Sequence, residues 1–149
     1  MLKALTSFFN ASAHSDVADS SAARELELAT AVLLIEVARA DFSEDEIEIH
    51  AVADLLVRHL KLPARDVHQL VEQAQREADH AASLQSFTRQ LHEELGNEDK
   101  FRIVEMLWQV ALADATLDKH EDHLIRKIAG LLYISHSDLI RIRNRVTDQ

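Results

Sequence analysis

Val37-Ala38-Arg39-Ala40-Asp41-Phe42-Ser43-Glu44-Asp45-Glu46-Ile47-Glu48-Ile49-His50 returns 73 residues further on as Val110-Ala111-Leu112-Ala113-Asp114-Ala115-Thr116-Leu117-Asp118-Lys119-His120-Glu121-Asp122-His123. Seven of the fourteen columns are identical, where a chance pairing at this composition gives about one. Downstream, after a one-residue slip, Leu60, Leu62, Asp66 and Val67 pair with Leu132, Ile134, Asp138 and Leu139. The chain therefore reads as two copies of a helix–short loop–helix unit, each followed by a further helix. Neither copy can bury its apolar face alone, so the expected arrangement packs the two together with pseudo-two-fold symmetry.

Working outward, the apolar residues keep a helical period almost without pause from Ala22 onward. The expected helices run over about 22–41, 44–61, 64–78, 80–95, 98–113, 117–132 and 136–146. Ser43 with Glu46 forms a capping box, Pro63 opens the third helix, and Ser135 with Asp138 starts the last. Asn97 and Thr116 are the expected caps of two others, and Gly96 the expected left-handed C-cap of the helix before it. Ahead of these, Leu2, Leu5, Phe8 and Phe9 share one face of a short amphipathic helix, joined on by a Ser-, Ala- and Asp-rich linker. Residues 1–23 are thus a short helix and flexible linker, and 24–147 a helical domain. Within it, repeat 1 covers about 25–77, a connector about 80–95, and repeat 2 about 98–146. The fold class is all-α: a compact bundle of about seven helices from two pseudo-symmetric helical-hairpin repeats, plus the N-terminal amphipathic helix.

Composition agrees. A chain of 149 residues suits one domain. Two glycines and one proline disfavour sandwiches, barrels and nucleotide-binding α/β folds, which need glycine at tight turns. Sixteen Lys and Arg against 26 Asp and Glu leave a net charge of −10. That is the wrong sign for nucleic acid and suits cations or basic partners. With no cysteine, disulfides, thiolate metal sites and cysteine nucleophiles are excluded. The start superficially resembles a secretory leader, but Lys3 alone and the interruption at Thr6 and Ser7 read as uncleaved. No stretch approaches the roughly 18 apolar residues of a membrane span. The expected location is the cytoplasm, with residues 2–9 the segment for a peripheral contact with the inner face of the membrane.

Each repeat carries Ala-Asp-x-x-x-Asp-x-x-Glu across its interhelical loop. Asp41 ends one helix, Asp45 lies in the first turn of the next, and Glu48 follows on the same face. Asp114, Asp118 and Glu121 repeat this. Two like charges ~4 Å apart repel by about 4 kcal/mol at an effective dielectric near 20. An acid at a helix C-terminus gains nothing from the dipole. A divalent cation would resolve the conflict, and carboxylate oxygens favour Ca²⁺, Mg²⁺ or Mn²⁺ over Zn²⁺. Without a metal, capping accounts for four of the six acids but not for Asp41 and Asp114, and Arg39, Lys119, Arg126 and Lys127 are available to pair with these acids internally. The pattern is not an EF-hand, because Glu46 stands where that loop needs glycine and Val52 where it needs a bidentate Glu.

His50 and His123 recur five residues after the second Asp, as outer hydrogen-bond donors to the carboxylates or as ordinary helix residues. His120-Glu121-Asp122-His123 could chelate zinc but lacks protease spacing. Arg141, Arg143 and Arg145 spread around a solvated helix, or else serve an acidic partner. Trp108, aligned with Ile35, is a core residue. No phosphate loop, nucleophile elbow or Ser-His-Asp order is present, so an enzyme is not expected.

Leu33-Leu34-Ile35-Glu36-Val37-Ala38-Arg39-Ala40-Asp41 with Asp45 and Glu48 resembles the tellurite-resistance TerB-like family. So does Leu107-Trp108-Gln109-Val110-Ala111-Leu112-Ala113-Asp114 with Asp118 and Glu121. The resemblance spans roughly residues 25 to 146. It implies an all-helical domain of two related halves and an acidic divalent-metal face on those six residues, in bacterial systems linked to tellurite resistance and stress. Many members carry glycine after the Ala-Asp pair, where this chain has Phe42 and Ala115. The expected function is a non-enzymatic, cation-binding module that engages partner proteins or the membrane surface. The alternative is a metal-independent interaction module with an acidic docking face.

Overall fold

Between Ala29 and Ala38 every residue except Glu36 is buried, so this stretch of helix has no solvent face. Such a helix must lie at the centre of its neighbours. It belongs to α1 (Val17–Ala38), followed by α2 (Glu46–Leu60), α3 (Ala64–His80), α4 (Gln85–Glu94), α5 (Asn97–Ala111), α6 (Lys119–Leu131) and α7 (His136–Thr147). The structure, a computed structural model, describes residues 17–40, 46–80, 84–113 and 117–148, without the side chains of 17–21, 46–48 and 80. Among the described residues all regular structure is helical.

α1 packs against α2, α3, α4, α5 and α6. α5 is the second hub, burying Ile103, Val104, Met106, Leu107, Trp108, Val110 and Ala111. The same neighbours recur in the two halves: α1 meets α2 and α3, which meet each other, as α5 meets α6 and α7, which meet each other. A single core runs through all seven helices, and Trp108 sits in it fully buried, as expected.

Several ends differ from expectation. Residues 17–23, expected as linker, are the first two turns of α1. Extending a helix already anchored by a buried stretch costs only propagation, and alanine propagates well. α3 continues to His80, and α4 is shorter than the expected connector, starting at Gln85. Asn97 is the first residue of α5, and its N-cap is Gly96, with φ −80° and ψ 177°. Gly96 is therefore extended, and its carbonyl accepts the first helical hydrogen bond, from Lys100 N at 3.1 Å. Among the described residues the left-handed ones are Lys61 (φ 57°) and Tyr133 (φ 61°). After α6 the chain forms a Schellman motif, with Ile134 N donating to Ala129 O at 2.9 Å and Tyr133 N to Gly130 O at 3.0 Å. Ser135 caps α7 as expected, accepting from Asp138 N at 3.2 Å. The amphipathic helix over 2–9 lies outside the described residues.

Candidate metal centre

α6 starts one residue after Asp118, whose backbone is extended and whose Oδ2 accepts from His120 N at 2.8 Å. Asp118 is thus the N-cap of the helix. Thr116, the expected cap, lies outside the described residues. The His120 ring adds a second contact, with Nδ1 3.2 Å from the same oxygen. Desolvation pushes the Asp118 carboxyl up, but the amide and ring of His120 and the amide of Glu121 outweigh it and hold the group below the usual carboxylate range. Asp118 is therefore ionised across the neutral range, as a ligand for a hard cation must be.

Glu121 follows in the first turn and is the one acidic residue among those described that is buried, at 1% exposure. The reason is its register: Glu121, Ile125 and Ile128 lie on the face of α6 that enters the core. Buried polar groups elsewhere make local contacts. Thr30 and Thr88 donate to the carbonyls of Leu26 and Leu84, and Lys100 Nζ lies 2.6 Å from His92 Nδ1. A buried carboxylate is sustained by compensating charge or hydrogen bonds, and the first turn of a helix favours an acid.

The first copy is less fully described. α2 begins at Glu46, which puts Glu48 in its first turn, but the Glu48 side chain lies outside the described residues. Asp41, Asp45 and Asp114 lie outside them as well. Among the described residues no three His, Asp or Glu side chains converge on one point. His50 and His123 are exposed. Of the basic residues expected as partners, Arg39 reaches Asp79 at 2.6 Å and Arg126 reaches Asp122 at 2.8 Å. The ring of His120 on Asp118 was not foreseen. Its signal was present in the sequence, because a residue two after an N-cap lies within reach of the capping side chain.

Chemically, the described half offers two carboxylates at one helix start, one pinned and ionised and one buried. Carboxylate oxygens are the donors that a hard divalent cation takes. The family model described as Tellurite resistance protein TerB matches residues 27–144. The match takes in both acidic motifs. No curated protein and no solved structure matches the chain.

Proposed function

Because this chain belongs to the TerB family of tellurite resistance proteins, we propose that it is a non-enzymatic helical module that binds a divalent cation through its two acidic loops. Asp41, Asp45 and Glu48 would serve one loop and Asp114, Asp118 and Glu121 the other. Ca²⁺, Mg²⁺ or Mn²⁺ suits these oxygens better than Zn²⁺. The observation that carries the reading is Glu121, a carboxylate turned into the core three residues after an ionised N-cap Asp. The loaded state would engage a protein partner in the cytoplasm, with residues 2–9 available for contact with the inner membrane surface. Among the described residues no helix is long and apolar enough to cross a membrane.

The test is a thermal melt of chelator-treated protein followed by Trp108 emission, with Ca²⁺, Mg²⁺, Mn²⁺ and Zn²⁺ added singly. A cation at ~100 times its Kd adds about 2.7 kcal/mol, a rise of several degrees for this size. The rise should vanish in Asp45→Asn/Asp118→Asn. Asparagine caps a helix as well as aspartate does, so the variant removes charge while keeping the α6 cap. A response to zinc alone would shift the site to the histidines.

A second reading has its own observation. Asp118 Oδ2 is already engaged by His120, as it would be if the acids served only capping and docking to a basic protein. That reading predicts no cation response and salt-sensitive capture of the partner.

A further inference from the structure

α2 and α7 both lean on α5 but barely touch each other, so a trough is left between them with α5 as its floor. Its volume is about 670 Å³, within the range of small-molecule sites. The floor is a single stripe of α5 with Phe101, Arg102 and Glu105 at helical spacing. Arg58 and Lys61 stand on the α2 side, and Arg141 and Arg145 on the α7 side. Five cations thus face one cavity against the carboxylates of Glu98 and Glu105, on a chain whose net charge is −10.

Arg58, Lys61, Arg102 and Arg145 make no ion pair among the described residues. Arg141 is anchored: it donates to Asp138 Oδ1 at 3.2 Å, and its guanidinium carbon lies 5.6 Å from the centroid of the Phe101 ring. The cluster therefore has an arginine already oriented over an apolar surface, and four further cations with donors to offer. Guanidinium forks match phosphoryl oxygens in pairs. The apolar part of the floor adds a surface that inorganic phosphate would not use.

We propose that the α2–α5–α7 trough binds a small organic phosphate, with its phosphoryl group among Arg58, Arg102 and Arg145 and its apolar body over Phe101. His59, half-buried in the same wall, is held towards its neutral form by burial and by Arg102. It therefore adds no sixth charge, and its side chain is hydrogen-bonded to Gln109 along the same lining. This site shares no residue with the acidic loops and does not depend on a cation there.

The test uses the full chain in chelator, with phenyl phosphate, AMP and inorganic phosphate titrated separately by calorimetry. Phenyl phosphate and AMP should bind saturably and at least about tenfold more tightly than inorganic phosphate. Arg102→Gln/Arg145→Gln should weaken both by about tenfold or more, the scale of a lost charge-assisted contact. Arg58→Gln/Lys61→Gln, on the opposite wall, should do the same and stands in if the first variant melts early. Phe101→Leu should weaken phenyl phosphate and leave inorganic phosphate unchanged. Arg143→Gln, whose parent side chain lies over Trp108 and not in the trough, should bind like the parent. Three results would each overturn the assignment: no binding of any phosphate, equal affinity for phenyl and inorganic phosphate, or binding that survives both double variants. Tighter binding of a hexaglutamate peptide than of AMP would also overturn it, in favour of a peptide groove.

Discussion

Lys61 and Tyr133 hold left-handed backbone where glycine is the usual occupant, each just past the second helix of its repeat and 72 positions apart. An L-residue there costs roughly 1–2 kcal/mol, and glycine returns about 0.5–1 of that as extra unfolded-state entropy. Lys61→Gly should therefore raise stability by about 0.5–1 kcal/mol, or a Tm gain of roughly 1–4 °C. Thermal denaturation against Lys61→Gln, which removes the charge but keeps the backbone restraint, separates the conformational gain from relief of repulsion in the trough. A Lys61→Gly gain no larger than that of Lys61→Gln would show that the strain is not there. The residue scale also explains why Gly96 misleads a reader of the sequence. A glycine after a helical run suggests a left-handed stop. Here Leu95 is already extended (φ −111°, ψ 145°) and Gly96 follows suit, so two residues join α4 to α5 without positive φ.

At the scale of elements, α6 contains a glycine in its last turns that nothing requires. Gly130 has no positive φ, and a Cβ built on it meets no atom within 4 Å. Gly130→Ala should stabilise the protein by about 0.5–1 kcal/mol, measurable by urea denaturation as a higher midpoint with an unchanged slope. The helices were legible in the sequence because their apolar period is strong, most plainly in α3, where Val67, Val71 and Ala74 are buried on one face. The helix start at Val17 was not, because small residues carry no period when the helix they extend is anchored elsewhere. For the acidic site, spacing alone puts Asp118 and Glu121 at one helix start. That Glu121 turns inward follows from its sharing a period with Ile125 and Ile128. The trough was hidden for a different reason. Its cations come from three helices, and no local pattern says which helices meet. Counted in steps of two, Arg141, Arg143 and Arg145 scatter, but the step of four puts Arg141 and Arg145 on one wall, with Arg143 5.8 Å from the Trp108 ring.

Across the whole molecule, pH acts through groups displaced in opposite directions. Burial first, then Arg102, lowers the His59 pKa from its ordinary 6.5. A group with a lowered folded-state value contributes stability above its unfolded pKa and loses it as pH falls through the folded value. Burial raises Glu27, Glu36 and Asp99, and these contribute in the opposite sense, their cost falling away on acidification. The signature of His59 is therefore a difference between proteins. From about pH 7.5 to pH 5, parent protein should lose more Tm than His59→Gln does. Parallel melting curves across that range would show that His59 titrates alike folded and unfolded.

The burial of the second half of α1 also bears on how the protein is made. This helix leaves the ribosome first among the seven, while the surfaces that cover it come from α2 to α6. At ordinary elongation rates, roughly 5–20 s pass between synthesis of Ala38 and of Leu131. For that interval the most apolar segment of the nascent chain has no native shelter, and it must associate loosely with early helices or be held by a chaperone. A chain truncated after α3 would keep that exposure permanently. Messages broken just after the codons for α3 should therefore yield insoluble product, even though these 149 residues together carry a net charge of −10.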